Sequence, residues 1–220
     1  MGETASEDRS LAAVITRALA SEIVGGAIAP ESWLRQDRIA ERFQTSHVPV
    51  REAFRRLEAR RLLENLPRRG VRVPALKPEE VQELIDMRTS LECLALRRAL
   101  TFGSPAALAQ AADQAETALG EAEVSQSLTV WEGCNRAFHT ALYAPGEGMR
   151  LLPAIGELHD ASARYLFAAW RDLAWQPRSE AEHLALLEAY RRGDVGTAEQ
   201  LLAAHVQAAG RSLIARLQGP

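Results

Sequence analysis

The chain has 220 residues, 47% hydrophobic and 25% charged, which is enough apolar material to bury cores in two domains and too little charge for a disordered polymer. The formal net charge of −3 hides an asymmetry: residues 1–75 carry 13 arginines against 10 acids, residues 76–220 carry 13 basic residues against 19 acids, and Pro30–Arg72 alone holds 11 arginines against 6 acids. A basic module beside an acidic one points to one polyanion-binding end. No apolar run approaches the roughly 20 residues of a membrane span. The first eight residues include Glu3, Glu7 and Asp8 and do not read as a signal peptide. No membrane partner and a cytoplasmic location are expected. Cys93 and Cys134 form no CxxC pair and read as buried free thiols.

Residues 1–9 are polar and read as a disordered tail. From Ser10, the apolar residues Leu11, Val14, Ile15, Ala18, Leu19 and Ile23 recur at helical spacing until Gly25-Gly26 and Pro30 break the pattern. A short helix is predicted from about Gln36 to Phe43 and a longer one to about Arg60, with Val50, Ala53, Phe54 and Leu57 inward. Two extended pieces, Leu62–Leu66 and Val71–Pro74, flank Pro67-Arg68-Arg69-Gly70. Residues 10–74 thus read as a winged helix-turn-helix with a small β-hairpin, and residues 75–77 as a linker.

Beyond the linker, residues 78–220 read as an all-α bundle. Helices are predicted at about 78–102, 104–122, 127–144, 149–172, 178–192 and 194–216, separated by Gly103, Gly120, Pro145–Gly148, Pro177 and Gly193-Asp194. The first opens on Pro78-Glu79-Glu80, a proline with acids at the positive end of the helix dipole. The chain as a whole is expected to be mainly α.

In the basic module, burying Val50, Ala53, Phe54 and Leu57 turns Arg51 and Arg55 outward. The second of two short helices can then enter the major groove, where base edges are distinguishable, while a basic hairpin tip at Arg68, Arg69 and Gly70 reaches phosphates or the minor groove. Thr45 and Ser46 are positioned to cap the second helix. The run Leu34-Arg35-Gln36-Asp37-Arg38-Ile39-Ala40-Glu41, then Ser46-His47-Val48-Pro49-Val50-Arg51-Glu52-Ala53-Phe54-Arg55-Arg56-Leu57-Glu58, then Leu62-Leu63 and Pro67–Val73 resembles the GntR superfamily of bacterial regulators. That resemblance implies binding to double-stranded DNA, with Ser46, His47, Val48 and Arg51 on DNA-contacting positions and Arg68, Arg69 and Gly70 at the wing tip. Three residues depart from the family pattern. His47 stands where Arg is usual, Gln44 where Gly is usual in the turn (a strain of roughly 1 kcal/mol), and Asp37 where a phosphate-binding Arg is usual. Arg35 and Arg38 are candidates to compensate for Asp37.

In the helical module, Trp131, Asn135, Phe138, His139 and Leu142 share one helix face, so Asn135 and His139 at i and i+4 can converge on one ion. His205 lies on a face with Ala198, Leu201, Leu202 and Ala209, and His183 opens a helix whose apolar side is read as Leu184, Leu187 and Tyr190. Three histidines on apolar faces are either hydrogen-bonded core residues or ligands to a divalent transition metal. His159 fits no such pattern. Asn135–His139, His183, Gly193-Asp194-Val195-Gly196-Thr197-Ala198 and His205 resemble the ligand-binding FCD domain of the FadR subfamily. That resemblance implies a six- or seven-helix bundle in which an Asp and three His hold a metal, often zinc or nickel, with an organic acid completing the shell. Asn135 replaces the aspartate. Arg88 and Glu92 interrupt the stripe Val81, Leu84, Ile85, Leu91 and Ala95, either as an internal i,i+4 pair or with Arg88 gripping an anionic effector.

Together these features predict a homodimeric, ligand-responsive transcription regulator, read as a repressor, bound to a pseudo-palindromic operator, with a small carboxylate as effector. The alternatives are a DNA-binding protein whose helical domain only dimerises, and a metal-dependent hydrolase. The hydrolase reading lacks a general base at the metal, since nothing places Glu132 there.

Overall fold

The computed structural model describes residues 10–123, 127–146, 148–169 and 176–218, so the expected tail at 1–9 and residues 170–172 of the fourth bundle helix lie outside the described residues. The chain divides into two compact units, residues 1–76 and 77–220.

In the first unit, Ser10 caps α1 (Leu11–Val24), its Oγ accepting the Ala13 N–H at 3.1 Å. Ile15, Leu19 and Ile23 are buried, whereas Leu11 and Val14, expected on the same face, are exposed. A two-residue strand β1 (Trp33–Leu34) follows, then α2 (Gln36–Arg42) and α3 (His47–Ala59). The chain closes with β2 (Glu64–Leu66) and β3 (Gly70–Arg72). The sheet has three antiparallel strands in the order β1-β3-β2, pairing Trp33 with Arg72 and Asn65 with Val71. This corrects the expectation of a bare hairpin. The strands are also shorter than predicted, because Leu62 and Leu63 leave the sheet and drop into the core. That core joins Ile15, Leu19, Val50, Ala53, Phe54, Leu57, Leu62 and Leu63. Each large apolar side chain fully buried there contributes roughly 1.5–3 kcal/mol, which fixes the rotation of α3 about its axis.

The second unit is all-helical among its described residues: α4 (Pro78–Phe102), α5 (Pro105–Glu123), α6 (Leu128–Tyr143), a 3₁₀ turn (Ala144–Gly146), α7 (Leu151–Ala169), α8 (Gln176–Arg191) and α9 (Val195–Leu217). Pro78 occupies the first turn of α4, with Glu79 and Glu80 beside it. Asp194 caps α9, accepting the Thr197 N–H at 3.1 Å. The α4 helix packs against α9, α7 and α6, and α9 packs against α8. At Gly210 of α9 the two helices come close, and a Cβ there would collide with Ile85 of α4. Two expectations are corrected. Pro177 lies in the first turn of α8 rather than before it, where its missing N–H is tolerated. Leu184 is exposed, and the inward face of α8 is Ser179, His183, Leu186, Leu187 and Tyr190. Cys93 and Cys134 are free, the first half-buried and the second buried. No helix among the described residues is long and apolar enough to cross a membrane.

Candidate functional site

Two regions concentrate chemistry, one in each unit. In the first, α3 buries Val50, Ala53, Phe54 and Leu57 and leaves Ser46, His47, Val48, Arg51 and Arg55 exposed. Arg35 and Arg38 are exposed at the start of α2, with Arg38 3.4 Å from Glu41. Ser46 sits at the N-cap of α3, but its side chain makes no capping hydrogen bond, contrary to expectation. The turn before α3 places Gln44 at φ +50°, the left-handed conformation that accounts for glycine being usual at this position. Asp37 and His47, two of the three departures from the family pattern, meet: Asp37 Oδ1 lies 3.1 Å from His47 Nε2. At the β2–β3 turn Arg68, Arg69 and Gly70 are exposed, with Gly70 at φ +106°. Arg72 belongs to the sheet instead, held by Glu64 at 2.5 Å and lying over the Trp33 ring.

In the second unit, α6, α8 and α9 bring His139, His183 and His205 together, all buried. His183 Nε2 lies 3.2 Å from His139 Nε2 and 3.2 Å from His205 Nε2. Nitrogens bound tetrahedrally to one zinc at 2.0–2.1 Å are about 3.3 Å apart, so the spacing already matches. Hydrogen bonding fixes the tautomers. His205 Nδ1 lies 2.8 Å from Glu182 Oε2. The Glu182 carboxyl is held below its usual range by that hydrogen bond, against the opposing effect of burial and with help from Arg178. A carboxylate only accepts, so His205 Nδ1 carries the proton and its Nε2 is bare in the neutral ring. Tyr143 donates its hydroxyl proton to Glu92 Oε2 at 2.7 Å and lies 3.2 Å from His139 Nδ1. The Tyr143 oxygen therefore accepts from His139 Nδ1–H, and His139 Nε2 is also bare.

Two bare lone pairs thus face His183 Nε2, which has one proton at most to offer while neutral. Burial, reinforced by neighbouring imidazoles, pushes His139 and His183 well below the ordinary histidine pKa, so protonation of these two rings does not relieve the crowding. A divalent cation does. Asn135, one turn before His139, has its Oδ1 buried without a hydrogen-bond partner. An orphaned acceptor one helical turn from His139 is a candidate fourth metal ligand.

Sequence reasoning missed the scaffold around these rings. His159, which fitted no pattern, is 5% exposed and lies 3.0 Å from Glu92 Oε1. Arg88 donates its Nε–H to the same oxygen at 2.7 Å, so Arg88 and Glu92 do form the internal pair. Burial acts to raise the Glu92 pKa, but Arg88 and the hydrogen bond from His159 outweigh it and hold the carboxyl well down. Ile155, His159 and Ser162 are buried on one face of α7 at i, i+4 and i+7, a spacing that could have flagged the histidine. A cavity of about 650 Å³ between α4, α5 and the 3₁₀ turn, lined by Arg98, Phe102, Gln110 and Gln114 among others, shares no residue with the histidine cluster.

Comparison with known proteins agrees with both halves. Residues 11–73 match the model of bacterial regulatory proteins of the gntR family, and residues 83–208 match the FCD domain. The chain is 27% identical over 197 residues to the HTH-type transcriptional repressor GlaR of Escherichia coli K12, covering 86% of this chain and 90% of that one. It is 30% identical over 187 residues to a probable D-xylose utilization operon transcriptional repressor of Paenarthrobacter nicotinovorans, covering 85% and 81%. Among solved structures, E. coli McbR/YncC shares the fold with a TM-score of 0.78 at 24% identity, covering 96% of this chain and 99% of that one. A basic winged helix-turn-helix followed by a helical FCD domain, matched along nearly the whole chain, places this protein in the GntR family as a DNA-binding transcriptional repressor rather than an enzyme.

Proposed function

We propose that this repressor is switched by a metal-bound small carboxylate held in its helical unit. The observation that carries the reading is the triad of buried Nε2 atoms, two of them bare and each 3.2 Å from the third, that of His183. His139, His183 and His205 would hold a divalent transition metal, zinc or nickel, with Asn135 Oδ1 as the fourth ligand. Such an ion supplies a positive centre for a carboxylate oxygen. Glu182 and Tyr143 keep two of the imidazoles in the tautomer that offers Nε2 inward. Arg88, buried beside Glu92 and His159 and paired with Glu92, would grip an anionic effector with the guanidinium N–H groups that the pair leaves over.

On the DNA side, Ser46, His47, Val48, Arg51 and Arg55 would face the major groove, Arg35 and Arg38 the phosphates, and Arg68, Arg69 and Gly70 the minor groove or its flanking backbone. A homodimer would place two such faces on a pseudo-palindromic operator in the cytoplasm. The effector changes occupancy of that operator only if it prefers one arrangement of the protein over another.

The test is elemental analysis of the protein purified without chelator, alongside the His183→Ala variant. About one zinc or nickel per chain in the wild type and none in the variant is the expected result. A metal-free wild type, giving no calorimetric response to zinc or nickel, would instead leave the helical unit as a dimerisation module.

A further inference from the structure

We infer that the metal ion and the carboxylate bind this protein as a coupled pair, each weakly alone, because Asn135 leaves the donor set without a negative charge. The inference rests on the metal reading above and deepens it. Imidazole binds a metal as an uncharged ligand, so the three histidines bring no negative charge to the ion. The Asn135 carboxamide offers an oxygen but no charge.

The neighbouring carboxyl groups do not fill the gap. Glu92 is paired with Arg88 at 2.7 Å and also takes hydrogen bonds from Tyr143 and His159. Glu182 is paired with Arg178 at 2.8 Å while it holds His205. Asp160 is paired with Arg136 at 2.6 Å. Glu132 lies on the α6 face that carries Asn135, but among the described residues no carboxylate oxygen joins the three imidazole nitrogens within 4.8 Å. A dication among these groups keeps nearly its full charge in a poorly solvated interior, an expensive arrangement. A carboxylate on the open coordination position cancels part of that charge. The ion in turn gives the buried carboxylate its counter-charge. By thermodynamic reciprocity each raises the other's affinity by the same factor. An aspartate at position 135 would build the compensating charge into the protein and weaken the coupling. With Asn135 in place, the regulator responds to metal and acid together rather than to either alone.

The test measures zinc affinity of the metal-stripped protein by competition with a chromophoric chelator, in acetate and in chloride at equal concentration. Acetate is the probe because it is the smallest carboxylate, and because it competes weakly for free zinc it works against the expected change. Wild type should bind zinc about tenfold or more tightly in acetate than in chloride. Asn135→Asp should bind zinc more tightly than wild type in chloride, and acetate should change its affinity about threefold or less. Equal wild-type affinity in the two salts, or an Asn135→Asp variant that keeps the wild-type acetate effect, overturns the coupling. No zinc binding by wild type in either salt overturns the metal reading beneath it. Thermal melting of the variant checks that it is folded.

Discussion

Arg51 and Arg55 are exposed because their neighbours Val50, Ala53, Phe54 and Leu57 are not, so truncating either arginine removes charge from the surface without opening the core. Arg51→Ala is expected to lower operator affinity about 5- to 150-fold and to reduce the slope of log affinity against log salt by about one if the lost contact was to phosphate. Fluorescence anisotropy over a salt series checks both, and an unchanged affinity would remove α3 from the interface. Asp37 and His47 act as a unit on this face. When the Asp37 carboxylate accepts the Nε2 proton, Nδ1 of the neutral ring becomes an acceptor and suits the exocyclic amino groups of adenine or cytosine, whereas arginine suits guanine. Binding-site selection should therefore show His47→Arg gaining guanine at one position per half-site, and identical selected sequences would contradict it. In the helical unit, Glu92→Gln leaves Arg88 buried without its counter-charge. The expected loss is about 3–5 kcal/mol, a fall in Tm of roughly 10 °C, read by thermal melting.

At the scale of elements, most helices were legible because burial on one face imposes a 3.6-residue period that survives in a single sequence. Long amphipathic segments such as α4 and α9 came out within a residue or two of their observed ends. What periodicity does not encode was lost. The strand β1 is two residues long and pairs with Arg72 and Val71, almost forty positions away, so nothing local announces it. His159 is buried because Glu92, 67 residues earlier, needs a partner. Leu184 was assigned inward on apolarity alone, although one residue is a 100° rotation away from His183 on a helix. The three triad histidines were legible as polar intrusions on apolar faces that could meet in the bundle interior, and the packing of α6, α8 and α9 does bring them together. That packing has a consequence for pH. In the metal-free protein, burial keeps His139, His183 and His159 neutral where the unfolded chain would be protonated. The unfolded state therefore binds more protons below about pH 6.5, and stability falls as the pH drops through that range. Glu92, held low, adds a loss of the same sign at lower pH. Chelator-treated protein should melt at a lower temperature at pH 5.5 than at pH 7.5; a flat or inverted dependence would contradict the burial of these rings in neutral form.

At the scale of the molecule, a basic unit built for polyanions is covalently joined to a helical unit whose interior gathers three imidazoles, an orphaned carboxamide and a buried arginine. Repression by such a chain is regulated when ligand binding in the helical unit alters operator affinity. The direct measurement is anisotropy on an operator duplex recovered by binding-site selection, with metal-stripped protein titrated in the absence and presence of zinc and a carboxylate panel. The account predicts that operator affinity changes about fivefold or more with zinc and at least one carboxylate, and that His183→Ala, which retains the DNA face, shows no such change. Identical affinity under all conditions, or the same response in His183→Ala, would contradict it.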